Sequence, residues 1–258
     1  MSYWQDRYAK AQTNLTKKTT KQVEKQMRKY YERTMKHVLD DFEATYNKLL
    51  NTVEKDKDPT PADLYKLDKY WQMQVQMRKE LRKLGDKQIS LMSKAFEENF
   101  FDVYYSVAIP GAQAFNTIDS SVVEQLINQI WVADGKSWSE RIWEDTEQLA
   151  ATLNEELINC VVAGKKTTDL KKMLQERFSV SYSRADALAR TELAHVQTKA
   201  AEQRYKDYGV QQVEIWADAD ERRCKVCGKL HQTKYAIGAP IPIPAHPRCR
   251  CCIVPVVD

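Results

Sequence analysis

The chain has 258 residues, 29% of them charged, with a formal net charge of +4. That balance is too even to argue nucleic-acid binding by itself, and no apolar run of about eighteen residues exists to span a bilayer. The opening Tyr3-Trp4-Gln5-Asp6-Arg7 is not the apolar stretch a secretory signal needs. A reducing compartment is therefore expected, where clustered thiols are more often metal ligands than disulfides.

From Thr20 to Val53, the apolar residues Val23, Met27, Tyr30, Tyr31, Val38, Phe42, Tyr46, Leu49 and Val53 recur at three- and four-residue steps. This pattern predicts one long amphipathic helix. Within 17–36, Lys17, Lys18, Lys21, Lys25, Arg28, Lys29, Arg33 and Lys36 face only Glu24 and Glu32. The stretch reads either as a solvated helix face or as a surface for an acidic partner. Asp58-Pro59-Thr60-Pro61 breaks the helix, and Thr60 is placed to cap a new one with Pro61 first and Asp63 near its positive end. Leu64, Leu67, Trp71, Val75, Arg78 and Leu81 run along that second helix, with Gly85 as its expected stop. Helix should resume from Ile89 to Tyr105. Its aromatic stripe Phe96, Phe100, Phe101, Tyr104, Tyr105 suits core or partner contact.

Ile109-Pro110-Gly111-Ala112 marks the clearest internal boundary. Helical patterns follow near 119–133, 138–163, 167–177 and 182–208. Asp119 or Ser120, Ser137, Thr167 and Ser181 are candidate caps, and Gly135, Gly164 and Gly209 are stops. Trp131, Trp138, Ile142 and Trp143 should anchor a second core. Val210–Ala217 alternates as a strand, and Ile253–Val257 forms a short terminal strand weakened by Pro255. The expected fold is mainly α: an elongated helical body with a small C-terminal α+β zinc-binding module. It divides into a long-helix region 1–110, a helical core 111–209 and a module 210–258.

The chemistry concentrates at the end. Cys224-Lys-Val-Cys227 is followed after eighteen residues by His246-Pro-Arg-Cys249-Arg-Cys251-Cys252. Two short ligand pairs at this separation match a closed zinc site. The predicted ligands are Cys224, Cys227, His246 and Cys249, with Cys251 as the alternative fourth, and a disulfide or free thiols as the competing reading. A Pro-rich module with few large apolar side chains cannot bury enough surface to fold alone. A structural zinc can contribute on the order of 10 kcal/mol. Cys252 points away from Cys251 on a strand and reads as a spare thiol. His231 reads as a solvent-facing loop residue, Cys160 as packing, and His37 and His195 as core or surface histidines.

Enzyme classes fare poorly. A zinc deaminase needs H-x-E, and no histidine here precedes Glu at that spacing. A thiol oxidoreductase would want the Cys224/Cys227 pair in a β-α-β setting. No Gly-rich phosphate loop is present. Asp218 and Asp220 share a strand face and suit magnesium, but without a third carboxylate nearby the structural reading is preferred.

The motifs also carry a resemblance. Lys136-Ser-Trp138-Ser-Glu-Arg141-Ile-Trp143, Ala189-Arg190-Thr191-Glu192, the segment from Trp216 through Cys224 and Cys227, and His246-Pro-Arg-Cys249-Arg-Cys251 occur in that order. Together they resemble the phage head morphogenesis family of Mu F-like and SPP1 gp7-like minor head proteins, over about 119–258. Tyr3-Trp4-Gln-Asp-Arg7 resembles the opening of such proteins from phages of Gram-positive hosts. The resemblance implies a non-enzymatic minor head protein of a tailed phage. It would assemble in the host cytoplasm and lie inside the virion near the portal vertex, acting in head assembly and DNA packaging or ejection. Its implied partners are the portal protein, the major capsid or scaffold protein, and packaged double-stranded DNA, without a membrane span. Candidate phosphate contacts are Lys17, Lys18, Lys21, Lys25, Arg28, Lys29, Arg222, Arg223, Arg248 and Arg250. Arg190 and Glu192 are expected to clamp the module, Glu192 towards Arg248 or Arg250 and Arg190 towards Asp218 or Asp220; ordinary surface ion pairing is the bland alternative. The runner-up function is a zinc-stabilised nucleic-acid-binding protein or an HNH-like nuclease.

Overall fold

The computed structural model describes residues 3–53, 57–107, 117–217 and 223–256. It is mainly helical, with a small antiparallel sheet near its C-terminal end. The helices are α1 (Tyr3–Thr52), α2 (Pro61–Tyr65), α3 (Asp68–Ser106), α4 (Ser120–Asn128), α5 (Trp138–Val162), α6 (Thr167–Asp207) and α7 (Lys225–Leu230). The strands are β1 (Gln212–Trp216), β2 (Lys234–Ala236) and β3 (Cys252–Pro255), in sheet order β2-β1-β3. Two compact units result. The first comprises Met1–Glu24, Leu91–Trp138 and Asp186–Asp258; the second comprises Lys25–Ser90 and Ser139–Ala185. The expected boundary at Ile109-Pro110-Gly111-Ala112 lies outside the described residues.

Helix α1 begins seventeen residues earlier than the predicted start at Thr20. Most of the predicted stripe is its buried face: Val23, Met27, Tyr31, Val38, Phe42, Tyr46 and Leu49 have little or no exposure, whereas Tyr30 and Val53 are half-buried. Thr60 caps α2 with a reciprocal box, its hydroxyl accepting the Asp63 N–H while Asp63 accepts the Thr60 N–H. That helix ends at Tyr65 instead of continuing to Gly85. The interruption at Lys66 and Leu67 resets the helical phase. On α3 the buried set becomes Tyr70, Met73, Met77, Leu81 and Leu84. Trp71, Val75 and Arg78, expected along the same helix as Leu64 and Leu67, are exposed on α3. One residue of offset turns a side chain about 100° around the helix axis.

Gly85 does not stop α3. It sits in mid-helix because a Cβ there would lie 2.6 Å from Cζ3 of Trp143. Glycine lets the two helices of the second unit approach at that point. Alanine would gain about 1 kcal/mol of helix propensity but overpack the indole by about 1–3 kcal/mol. Gly85→Ala should therefore lower the melting temperature by a few degrees, measured by thermal denaturation of the full chain.

The predicted break near 177–182 is absent. Helix α6 runs through it, because Phe178-Ser-Val-Ser181 contains neither Gly nor Pro. Ser181 is buried and engaged with Tyr31 and Asp145, so its hydroxyl is not a cap. Gly164 and Gly209 do end α5 and α6, at φ +57° and +74°, where a side chain would be strained. Tyr46 also holds the end of α5 in the second unit, its hydroxyl donating to the carbonyls of Cys160 and Lys165. In the first unit, Phe96, Phe100 and Tyr104 of the aromatic stripe are core, whereas Phe101 is half-buried and Tyr105 exposed.

The sheet is fastened to the first unit by a buried polar contact. The Gln12 amide donates to the Tyr205 hydroxyl and the Ile253 carbonyl, both at 3.0 Å, and the Tyr205 hydroxyl donates to the same carbonyl at 3.3 Å. Tyr8, Ala9, Cys252 and Val254 form an apolar cluster beside it, with Trp216 packed against them. Pro255 pairs with Val213 at the end of β3, an outer strand of this sheet, where proline is tolerated. Strand β2 and helix α7 had no counterpart in the sequence reading.

Candidate metal centre

Helix α7 opens on Cys224 as its N-cap. The Cys224 sulfur accepts the Cys227 N–H at 3.3 Å. That bond holds the Cys224 thiol below its usual range. One turn of helix therefore places both sulfurs on the same side. The returning chain supplies His246 and Cys249 from a tight turn, closed by the Cys249 N–H on the His246 carbonyl. Within it Arg248 adopts φ +61°, an uncommon conformation for a long side chain.

His246 Nε2 lies 3.3 Å from Cys224 Sγ and 3.1 Å from Cys227 Sγ, and Cys227 Sγ lies 3.8 Å from Cys249 Sγ. A zinc tetrahedron with about 2.3 Å sulfur bonds and about 2.0 Å nitrogen bonds has edges of roughly 3.5–3.8 Å. These three separations are near ligand spacing, although the four predicted ligands do not all lie within 4.8 Å of one another. They form two overlapping triads, Cys224–Cys227–His246 and Cys227–Cys249–Cys251, with Cys227 in both. His246 Nδ1 bonds the Pro247 carbonyl at 2.9 Å, which leaves Nε2 as the lone-pair nitrogen facing the sulfurs and raises the imidazole's pKa. Burial pushes the Cys227 thiol up to about 12. The Cys251 thiol bonds to the Cys249 sulfur, which draws Cys249 down to about 5 and holds Cys251 well above its range. Cys249 is the better thiolate of that pair. A cavity of about 50 Å³, lined by Cys224, Cys227, His246 and Cys251 among others, has room for an ion but not for an organic cofactor. The Cys/His cluster could hold a metal ion.

Cys252 faces the Tyr8 cluster instead. Cys160 is buried with its sulfur 3.6 Å from Met173 Sδ. His231 is not a solvent-facing residue. It caps α7, its Nδ1 accepts the Ala217 N–H at 3.3 Å, and its ring packs edge-on to Trp216. His195 is buried and stacked on Trp131, with centroids 4.5 Å apart.

The cluster is tied to α6. Asp186 accepts both Arg190 Nε, at 2.9 Å and 3.0 Å, and Arg248 Nη2 at 3.1 Å. Arg190 Nη2 also reaches Glu24 at 2.8 Å. The Thr191 hydroxyl accepts the Arg248 N–H at 3.0 Å. Glu192 is buried and accepts the Trp131 indole N–H at 2.9 Å. Asp218, Asp220 and Arg222 lie outside the described residues. Sequence reasoning missed Asp186, although its four-residue spacing from Arg190 is the ordinary signal for a helical ion pair. Trp131 gave no such signal. Lys17, Lys18, Lys21, Lys25, Arg28 and Lys29 are all exposed along α1; Arg223, Arg248 and Arg250 are exposed near the cluster.

Fold and cluster together define a mainly helical chain ending in a Cys/His knuckle on a small sheet. Residues 151–254 match the family described as Phage Mu protein F like protein, which supports the resemblance to the phage head morphogenesis family over that segment. That family is structural and non-enzymatic in general. The chain is also similar to the NAD(+)--arginine ADP-ribosyltransferase EFV of Enterococcus faecalis, with 23% identity over 186 residues. That alignment covers 64% of this chain but only 38% of the relative's length, so the enzyme's activity does not transfer with it. No solved structure matches.

Proposed function

We propose that this chain is a minor head protein of a tailed phage, sited at the portal vertex, whose C-terminal module is stapled by one structural zinc ion on Cys224, Cys227, His246 and Cys249. The family match over 151–254 carries the virion role. The donor spacing of 3.1–3.8 Å supports the zinc. A Cys₃His set of thiolates and imidazole suits zinc over harder cations. Bound there, the ion supplies no reaction step; it fixes the turn that carries Arg248 against Asp186 and Thr191. The role is scaffolding, with the helices docking on the portal ring and contacting the capsid or scaffold protein during head assembly. The runner-up, a nuclease with a histidine base in the module, is disfavoured by the engagement of His231 with Ala217 and Trp216.

Locating the chain in purified particles tests the role. It should co-purify with portal rings in a few copies per head. Particles that assemble and package normally without it would contradict the reading.

Packaged DNA is the proposed non-specific contact of the exposed basic face of α1. Lys17, Lys18, Lys21 and Lys25 changed together to Gln should lower the slope of log affinity against log salt by about 3–4 for duplex DNA. Nitrocellulose retention at graded salt measures it. An unchanged slope would remove α1 from DNA contact.

A further inference from the structure

The second unit holds an open groove of about 520 Å³ between α3 and α5. The two helices run antiparallel. Tyr70 and Gln74 bond Asn154 towards one end, and Gly85 meets Trp143 towards the other. Val75, Arg78, Lys79 and Arg82 line the α3 wall at steps of three and four residues; Trp143 and Glu147 stand on the α5 wall. Val75 is 69% exposed, and Trp71, one turn before it, is 56% exposed. The phase reset at Lys66 and Leu67 turns them outward, so the chain carries an apolar stripe that its own second unit does not cover.

Charge says what fits there. Arg78, Lys79, Arg82 and Lys83 border the groove, against Asp86 and Glu147. Lys83 pairs with Glu80 at 2.7 Å, while Arg78, Lys79 and Arg82 form no ion pair among the described residues. All three cations come from one wall. The opposite wall offers an indole and a carboxylate. From Val75 to Asp86 the groove runs roughly 16 Å, or three turns of a helix. A nucleic-acid backbone would leave the apolar floor unfilled and would run past Glu147 and Asp86.

We propose that this groove docks an amphipathic α-helix of a partner protein, its apolar stripe on Val75 and Trp143 and its acidic edge against Arg78, Lys79 and Arg82. This is the helix-in-groove mode, with apolar anchors for affinity and an ionic edge for register. The inference uses the second unit alone and does not depend on the metal centre.

The test uses the full chain and a labelled helical peptide of about fourteen residues, with Leu at three- and four-residue steps and Glu along one edge. A twin peptide carries Lys in place of Glu, and a short DNA duplex is the third probe. The parent protein should bind the acidic peptide at least roughly tenfold tighter than its twin. Arg78→Glu with Arg82→Glu should reverse that preference, and Val75→Asp should weaken the acidic peptide by roughly tenfold. These side chains are exposed, and melting curves confirm that the variants stay folded. Equal binding of both peptides, no binding of either, or indifference to the charge reversal would overturn the proposal. So would a duplex that displaces the acidic peptide and loses its own binding on charge reversal, which would make the groove a nucleic-acid surface.

Discussion

Cys227→Ser should free residues 223–251, including α7, from their fold while leaving helices α1 to α6 intact. Cys227 is the donor common to both triads and is buried, so its loss removes the one sulfur that neither arrangement can do without. The affected segment is held by little else. Between Arg223 and Cys251 the only fully enclosed apolar side chain outside the cysteines is Ile243. A structural zinc supplies on the order of 10 kcal/mol to such a piece, far more than its apolar burial. Strands β1 and β3 should survive, because they are pinned independently by Gln12, Tyr205 and the Tyr8 cluster. Limited proteolysis should therefore cut within 223–251 in the variant, and in the parent after chelation, with far-UV circular dichroism nearly unchanged. Cys252→Ser should keep both metal and protease resistance. Equal resistance of Cys227→Ser and parent would remove the metal from the folding account.

Acid should destabilise the first unit through His195. This imidazole is buried against Trp131, and its Nε2 has no hydrogen-bond partner among the described residues. Burial lowers its pKa from 6.5 to about 3. The unfolded chain therefore takes up a proton below about pH 6.5, whereas the folded chain refuses it until about pH 3. Stability from this residue is fully present above pH 6.5 and falls as pH drops through the window. At about 1.4 kcal/mol per unit, the loss across it is on the order of 5 kcal/mol. His195→Phe keeps the stacking and removes the proton site. Its melting temperature should fall less steeply than the parent's between pH 6.5 and pH 4, whatever acid does to the cysteine cluster in both. Parallel curves would show that His195 is hydrated.

Much of this was legible because local rules acted alone. Thr60 with Asp63 is a capping box wherever it occurs, and Gly164 and Gly209 end helices because the backbone there needs positive φ. Cysteine and histidine spacing pointed to the cluster, since each pair fits on one turn. The misreadings share a cause, which is that tertiary packing overrode a local signal. Gly85 looked like a stop but makes room for an indole, and Ser181 looked like a cap but is consumed by Tyr31 and Asp145. The single helix expected from Pro61 to Gly85 is instead two, because a two-residue interruption, invisible in hydropathy, ends α2 and lets α3 start afresh. Helix α7 and strand β2 escaped notice because each is too short for periodicity to register.

Metal analysis with X-ray absorption on the purified full chain bears most directly on the central claim. The expected result is one zinc per chain, bound by three sulfurs and one nitrogen. A metal-free protein whose residues 223–251 still resist protease would contradict it.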